Sequence, residues 1–361
     1  MKKIIIIHED LDISPLYGLF KSLIAKGLKL SLFSNDKKFI DQFEEFDIRT
    51  NKIHFCQNVN SNLRAIFYIL LCRQARQEKP GILCFSRRAQ ILLPLICFIL
   101  KLELIIFRSP QNKDNPILLD WLVKKFSRWA KYWVLCETEK ILLQKKVSKK
   151  AEIFVLPVGI NLSANAQDNL FDSLARARRG QLNRKFFSVG ALAIDGDNYL
   201  ENLLSAGKKC LNVIKEFQLI VICDIKTKNK VQWLAKKLEI DSLVWFVGKE
   251  ILRRKWCDNL DVYVAISSSF SLPGFYHLLS AQAGYLPVIA PENNGFDEII
   301  INNQSGFLVN MENSDDLSQT IINLYRSRQM REQTAQKAVE IIKGKYLLDK
   351  ISKDFVEIYN E

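Results

Sequence analysis

The period of the apolar positions keeps changing along the chain. KIIIIH (3–8), LKLSLFS (28–34), PGILCFS (80–86), ELIIFRS (103–109), YWVLCE (132–137) and EIFVLP (152–157) are short apolar runs of the kind that form buried strands. Helical spacing lies between them. PLYGLFKSLIAKG (15–27) has apolar residues at 16, 19, 20, 23 and 24 and ends on Gly27, and SNLRAIFYILLCRQARQ (61–77) predicts a second helix. The longest apolar stretch, ILLPLICFILKLELIIF (91–107), is interrupted by Pro94, Lys101 and Glu103. It falls short of the roughly 20 residues that span a bilayer and predicts a buried helix followed by a buried strand. The alternation lapses in NLSANAQDNLFDSLARARRGQLNR, residues 161–184, and then restarts. KFFSVGALA (185–193), FQLIVICD (217–224), LVWFVG (243–248), DVYVAIS (261–267) and LPVIAP (286–291) predict strands. Helices are expected near 198–213, 227–239, 273–284 and 294–302, and throughout the stretch from Asp315 onwards.

Strands alternating with helices build parallel sheets covered on both faces. The expected fold is α/β: two doubly wound Rossmann-like domains, 1–160 and 185–361, joined by a linker over 161–184, facing a cleft and ending in helices. Ligands of such sheets bind beyond the carboxyl ends of the strands, which leaves room for one ligand per domain.

Composition sharpens this picture. At 361 residues two domains are the default. Eight cysteines stand singly, with no CxxC and no Cys/His cluster, so no metal site is expected and the thiols read as buried and reduced in a cytoplasmic protein. MKKIIIIHED has too short an apolar run for a signal peptide. The net charge is +13, and residues 1–160 hold 27 Lys and Arg against 15 Asp and Glu. The excess is densest over 121–150, where nine Lys and Arg face two Glu. Such a face suits an anionic membrane surface or a phosphorylated lipid, with Lys124, Lys125, Arg128 and Lys131 as contacts to membrane or acceptor, unless it is simply a solvated face. No nucleic-acid motif accompanies the charge, so no nucleic-acid partner is expected.

Five segments of the second half follow one another in a familiar order: FFSVGAL (186–192), LIVICD (219–224), VWFVGK (244–249), LDVYVAISSS (260–269) and AQAGYLPVIAPENNGFDEIIINNQSGFLV (281–309). This half resembles the donor domain of the family-4-type glycosyltransferases of the GT-B superfamily. VLPVGINL (155–162) is similar to the segment that closes their first domain, and the first half matches more loosely. The resemblance implies a UDP- or GDP-sugar as co-substrate, no tightly bound cofactor, and transfer to a lipid-linked or polysaccharide acceptor at the cytoplasmic face of the membrane. It implies donor phosphates near Asn293, Asn294, Gly295 and Glu298, where a helix N-terminus presents backbone N–H groups, and near Ser267 and Ser269. Arg253, Arg254 and Lys255 are a further source of positive charge, or a solvated helix start.

The usual donor-site charges are replaced. The family's Arg after Val-Gly and its Lys five residues later fall on Ala191 and Gly196, and its two glutamates on Leu272, or Phe270 if the loop shifts, and Ser280. No Asp or Glu occurs from Val262 to Pro291. The loop after the first strand, HEDLDIS (8–14), carries three acids and no glycine. His8 and Arg108, at strand ends of the first half, are the catalytic candidates. Two readings follow: a glycosyltransferase with a divergent donor site, or an inactive GT-B subunit that partners an active transferase. The second would expose an apolar surface, for which Trp121, Phe126, Trp129, Tyr132 and Trp133 are candidates unless they pack in a core.

Overall fold

Both expected parallel sheets form. The computed structural model describes residues 3–8, 11–34, 79–86, 93–108, 124–162, 186–193, 199–248, 260–267, 271–292 and 295–360. The chain divides into two compact units: residues up to Gly159 together with those from Leu348 onwards, and Ile160–Leu347.

The first unit contains β1 (Lys3–His8), α1 (Tyr17–Ala25), β2 (Lys29–Ser34), β3 (Gly81–Cys84), α2 (Leu93–Leu100), β4 (Leu104–Phe107), β5 (Lys131–Val134), α3 (Glu137–Gln144) and β6 (Glu152–Val155). Its strands are all parallel and lie in the order β2-β1-β3-β4-β5-β6. Burial on both faces explains the continuous apolar runs, such as Ile4 to Ile7, each at most 1% exposed. The helix expected over 61–77 lies outside the described residues. The helix expected to be buried over 91–100 is buried only at Leu93, Pro94 and Cys97, while Phe98 and Ile99 are 54% and 67% exposed. A helix that is apolar all round does not show in sequence which face turns inward.

The second unit contains β7 (Phe187–Leu192), α4 (Leu200–Leu211), β8 (Phe217–Cys223), α5 (Ile225–Lys237), β9 (Val244–Gly248), β10 (Val262–Val264), α6 (Leu272–Ala283), β11 (Val288–Pro291), β12 (Phe307–Val309), α7 (Ser314–Arg326) and α8 (Arg328–Lys345). The strand order is β12-β11-β10-β7-β8-β9, again all parallel. This is the doubly wound order in which the first and fourth strands lie side by side. Local chemistry starts α5: the Asp224 carboxylate accepts from the Thr227 N–H (2.7 Å) at its head. The helix expected over 294–302 is only a three-residue 3₁₀ turn, Phe296–Glu298.

The last helix, α9 (Leu348–Asn360), belongs to the first unit and not, as the sequence suggested, to the second. Its stripe of Leu348, Ile351, Phe355 and Tyr359 is buried. The Phe355 ring lies 5.7 Å from that of Trp133. The Gly81 N–H donates to the Tyr359 hydroxyl (3.0 Å), and Ser22 Oγ donates to Ser352 Oγ (3.0 Å). Burial, reinforced by the Glu103 charge, pushes the Tyr359 phenol up to about 12. A Cβ on Gly81 would stand 2.2 Å from that hydroxyl, so glycine is what lets the helix close on the sheet.

Cys84, Cys97, Cys136, Cys210 and Cys223 are free and buried. Burial pushes the Cys210 thiol up to about 12 and raises Cys97 as well. A thiol held protonated is a poor nucleophile. These five are expected to resist iodoacetamide in the native protein at mildly alkaline pH and to label fully in denaturant, as read by peptide mass mapping. Among the described residues, no helix is long and apolar enough to cross a membrane.

Candidate functional site

In a doubly wound sheet, the loops leaving the carboxyl edge diverge where the strand order reverses, and a ligand fits between them. In the second unit that point lies between β7 and β10. Beyond β10 the chain runs through buried Ala265 and Ile266 to Ser267, which is 6% exposed. Ser271, 1% exposed, then caps α6: its Oγ accepts from the Gly274 N–H at 3.2 Å. A Cβ on Gly274 would come within 2.9 Å of that oxygen, so the glycine leaves room for the cap. Pro273 has no N–H to offer. The start of α6 is therefore largely capped from within, which leaves little of it for an incoming anion.

The adjacent strand β11 ends at Pro291, and its continuation is pinned by Glu292 N–H donating to Val309 O (3.0 Å). Gly295 then takes φ +86°, a conformation open to glycine at little cost. The 3₁₀ turn after it is braced by the Glu298 N–H donating to Gly295 O (3.3 Å). So short a turn has almost no dipole to aim at a phosphate. What it provides is the glycine's bare backbone. The structure thus gathers Ser267, Gly295 and Glu298 at one edge of one sheet. Ser269, Asn293, Asn294, Arg253, Arg254 and Lys255 lie outside the described residues.

The positions on which the resemblance would place donor-site charges are held by packing or by a local hydrogen bond. Ala191 is 1% exposed and lies in a core with Val189, Val221 and Val264. Leu272 is fully buried, and the Ser280 hydroxyl donates back to Tyr276 O (2.7 Å). Gly196 and Phe270 lie outside the described residues. Among those described, no group of three His, Cys, Asp or Glu side chains is arranged to hold a metal ion.

In the first unit the strand order reverses between β1 and β3, and His8 ends β1 there. It is 2% exposed. Its Nε2 donates to Leu11 O (2.5 Å), and its Nδ1 lies 2.8 Å from Ser34 Oγ. A carbonyl only accepts, so Nε2 carries the hydrogen and Nδ1 takes the Ser34 proton in the neutral ring. Both nitrogens tie the loop after β1 to the end of β2. This gives His8 a structural role and leaves neither nitrogen to serve as a base in this state. Arg108 stands just past β4 at the same carboxyl edge, half-buried, its N–H donating to Trp133 O (2.9 Å).

The basic cluster is at the other end of that sheet. Lys124, Lys125 and Arg128 precede β5 at its amino end and are exposed. Lys131 is turned inward, pairing with Glu103 (3.3 Å) and donating to Ile358 O (3.0 Å). Of the aromatic residues considered as a partner surface, Tyr132 and Trp133 are core, Phe126 and Trp129 are half-buried, and Trp121 is outside the described residues. Phe98 and Ile99 are exposed beside them and were not suspected from sequence.

Residues 176–340 match the family model described as "Glycosyl transferases group 1". No curated protein matches the chain. Among solved structures the chain is similar to a glycosyltransferase from Rickettsia africae ESF-5, with a TM-score of 0.80 and 16% identity over 99% of this chain and 97% of that one. It is similar to HepE of Anabaena in complex with UDP and glucose, with a TM-score of 0.80 and 15% identity over the whole of both chains. It is also similar to sucrose-phosphate synthase from Thermosynechococcus elongatus, with a TM-score of 0.75 and 15% identity over 100% of this chain and 98% of that one. Likeness at such identities establishes the fold, which is of the GT-B type.

Proposed function

We propose that the chain is a glycosyltransferase with a divergent donor site, taking a UDP-sugar at the carboxyl edge of the second unit's sheet. GDP-sugars are the other donor class considered. UDP is favoured because the HepE structures contain UDP or UDP-glucose. The acceptor is a lipid-linked glycan or a polysaccharide held at the carboxyl edge of the first unit, where Arg108 stands, with the protein peripheral on the cytoplasmic face of the membrane. The observation that carries the reading is the placement of Ser267 and the positive-φ Gly295 at the carboxyl ends of neighbouring strands.

In this reading, the Ser267 hydroxyl and the bare backbone at Gly295 take the diphosphate. The departing nucleotide then lacks the two cations that the family resemblance implies. One lost transition-state contact costs about 3–4 kcal/mol, so turnover is expected to be slow. The burial of Ala191 and Leu272 favours a second reading, an inactive subunit that partners an active transferase.

Calorimetry with UDP, GDP and their sugars separates the two readings. Micromolar binding of UDP is expected, together with at least a tenfold loss in Gly295→Val. A β-branched residue at φ +86° costs about 1–2 kcal/mol and puts a side chain where the ligand approaches. Absence of binding to all of these ligands leaves the inactive-subunit reading.

A further inference from the structure

We propose that the amino-end edge of the first unit's sheet, formed by the end of α2 and the turn before β5, docks onto an anionic bilayer. This specifies the membrane partner named above, but it stands on the first unit alone and does not require donor binding.

Four side chains make the apolar part. Phe98 and Ile99, at the end of α2, are 54% and 67% exposed. The Phe98 ring stacks on Trp129 with centroids 4.3 Å apart and planes 16° from parallel. Phe126 stacks on the same indole at 5.5 Å and 23°. The ladder is held rigidly. Ser127, at its centre, donates to Lys124 O (2.9 Å) and accepts from the Ser148 N–H (2.8 Å). The exposed apolar surface is therefore built in advance and needs little ordering on contact.

Exposed cations surround it. Lys101, Lys124, Lys125 and Arg128 are all exposed, and the Arg128 guanidinium lies 4.5 Å from the Trp129 ring centre. Of the acidic side chains at this edge, Glu103 is paired with Lys131, and Glu152 stands exposed at the start of β6, on the far side of β5 from β4. Large exposed aliphatic and aromatic groups ringed by Lys and Arg fit an interface of headgroups over acyl chains. Protein–protein interface cores are depleted in lysine, which argues against a protein occupant. Charge complementarity selects anionic lipid, and each cation near such a surface adds to partitioning. The docked edge is opposite the one carrying His8 and Arg108, so docking leaves the ligand edge of this sheet open to a polysaccharide, or to a lipid-linked glycan long enough to reach round from the bilayer.

The test is cosedimentation of the full-length protein with vesicles of phosphatidylcholine, with and without phosphatidylglycerol. Sedimentation only with the anionic vesicles, weakening with salt, is expected. Lys124→Gln with Lys125→Gln is expected to lower partitioning roughly thirtyfold. Ile99→Ser alone, and Phe98→Ser with Ile99→Ser, are expected to lower it about tenfold or more while circular dichroism and UDP binding stay unchanged. Ile99 lies outside the ring stack, so its variant tests the surface without disturbing the ladder. Failure of the wild type to sediment with anionic vesicles overturns the proposal. So does equal sedimentation of the Phe98 and Ile99 variants, or a change in their mass by light scattering with vesicle binding intact, which would assign the face to protein contact. Vesicle binding without UDP binding would overturn the nucleotide reading and leave this one standing.

Discussion

Cutting the chain after Leu347 is expected to unfold the first unit and spare the second. The removed helix contributes Leu348, Ile351, Phe355 and Tyr359 to the core of a unit whose other residues all precede Ile160. Its loss uncovers Trp133, which is fully buried, and leaves the Gly81 N–H without the Tyr359 hydroxyl. Each large apolar side chain deleted from a core costs about 3–5 kcal/mol, and Phe355→Ala alone is expected to fall in that range. A domain's entire stability is about 5–15 kcal/mol, so removing four such residues together exceeds it or nearly does. Hydrogen exchange followed by peptide checks this. Protection is expected to vanish across β1–β6 and persist across β7–β12. The reverse pattern would assign the helix to the second unit.

Ala191→Arg is expected to destabilise the second unit by about 3–5 kcal/mol without tightening UDP binding. The substitution supplies the cation that the family resemblance implies at this position. However, the Ala191 side chain lies among Val189, Val221 and Val264 at 1% exposure, with no carboxylate among those neighbours. A guanidinium there is both too large and unpaired. The urea midpoint measures the first effect and calorimetry the second, with Ala191→Ser as the control for a small change. A stable Ala191→Arg protein that binds UDP more tightly would mean that the strand end opens to the ligand.

These two cases show where sequence reading stops. The stripe at 348, 351, 355 and 359 states that α9 has a buried face, but a stripe does not say which sheet lies under it. At 191 and 272 the resemblance implied charges that the sequence does not carry. That both positions are sealed by packing was not, because neighbours on adjacent strands are distant in sequence. His8 was legible as a histidine at a strand end. Its two hydrogen bonds, to Leu11 and to Ser34 on the next strand, are what turn it from a candidate base into a tie. The exposed pair Phe98 and Ile99 was hidden because every residue of α2 is apolar or proline, which erases the contrast that marks an outer face.

The sequence by itself determined the two parallel sheets, most of their strands, the lopsided positive charge and the segments by which the second half resembles a donor domain. These are properties of local period, composition and residue order, which need no knowledge of neighbours. Only the tertiary structure decided that α9 covers the first sheet, that Ser267 and Gly295 share one carboxyl edge, that Lys131 is spent inside, and that an aromatic ladder projects among cations at the opposite edge of the first sheet. Each of these depends on pairing between residues far apart along the chain, and that pairing is settled by which faces bury together.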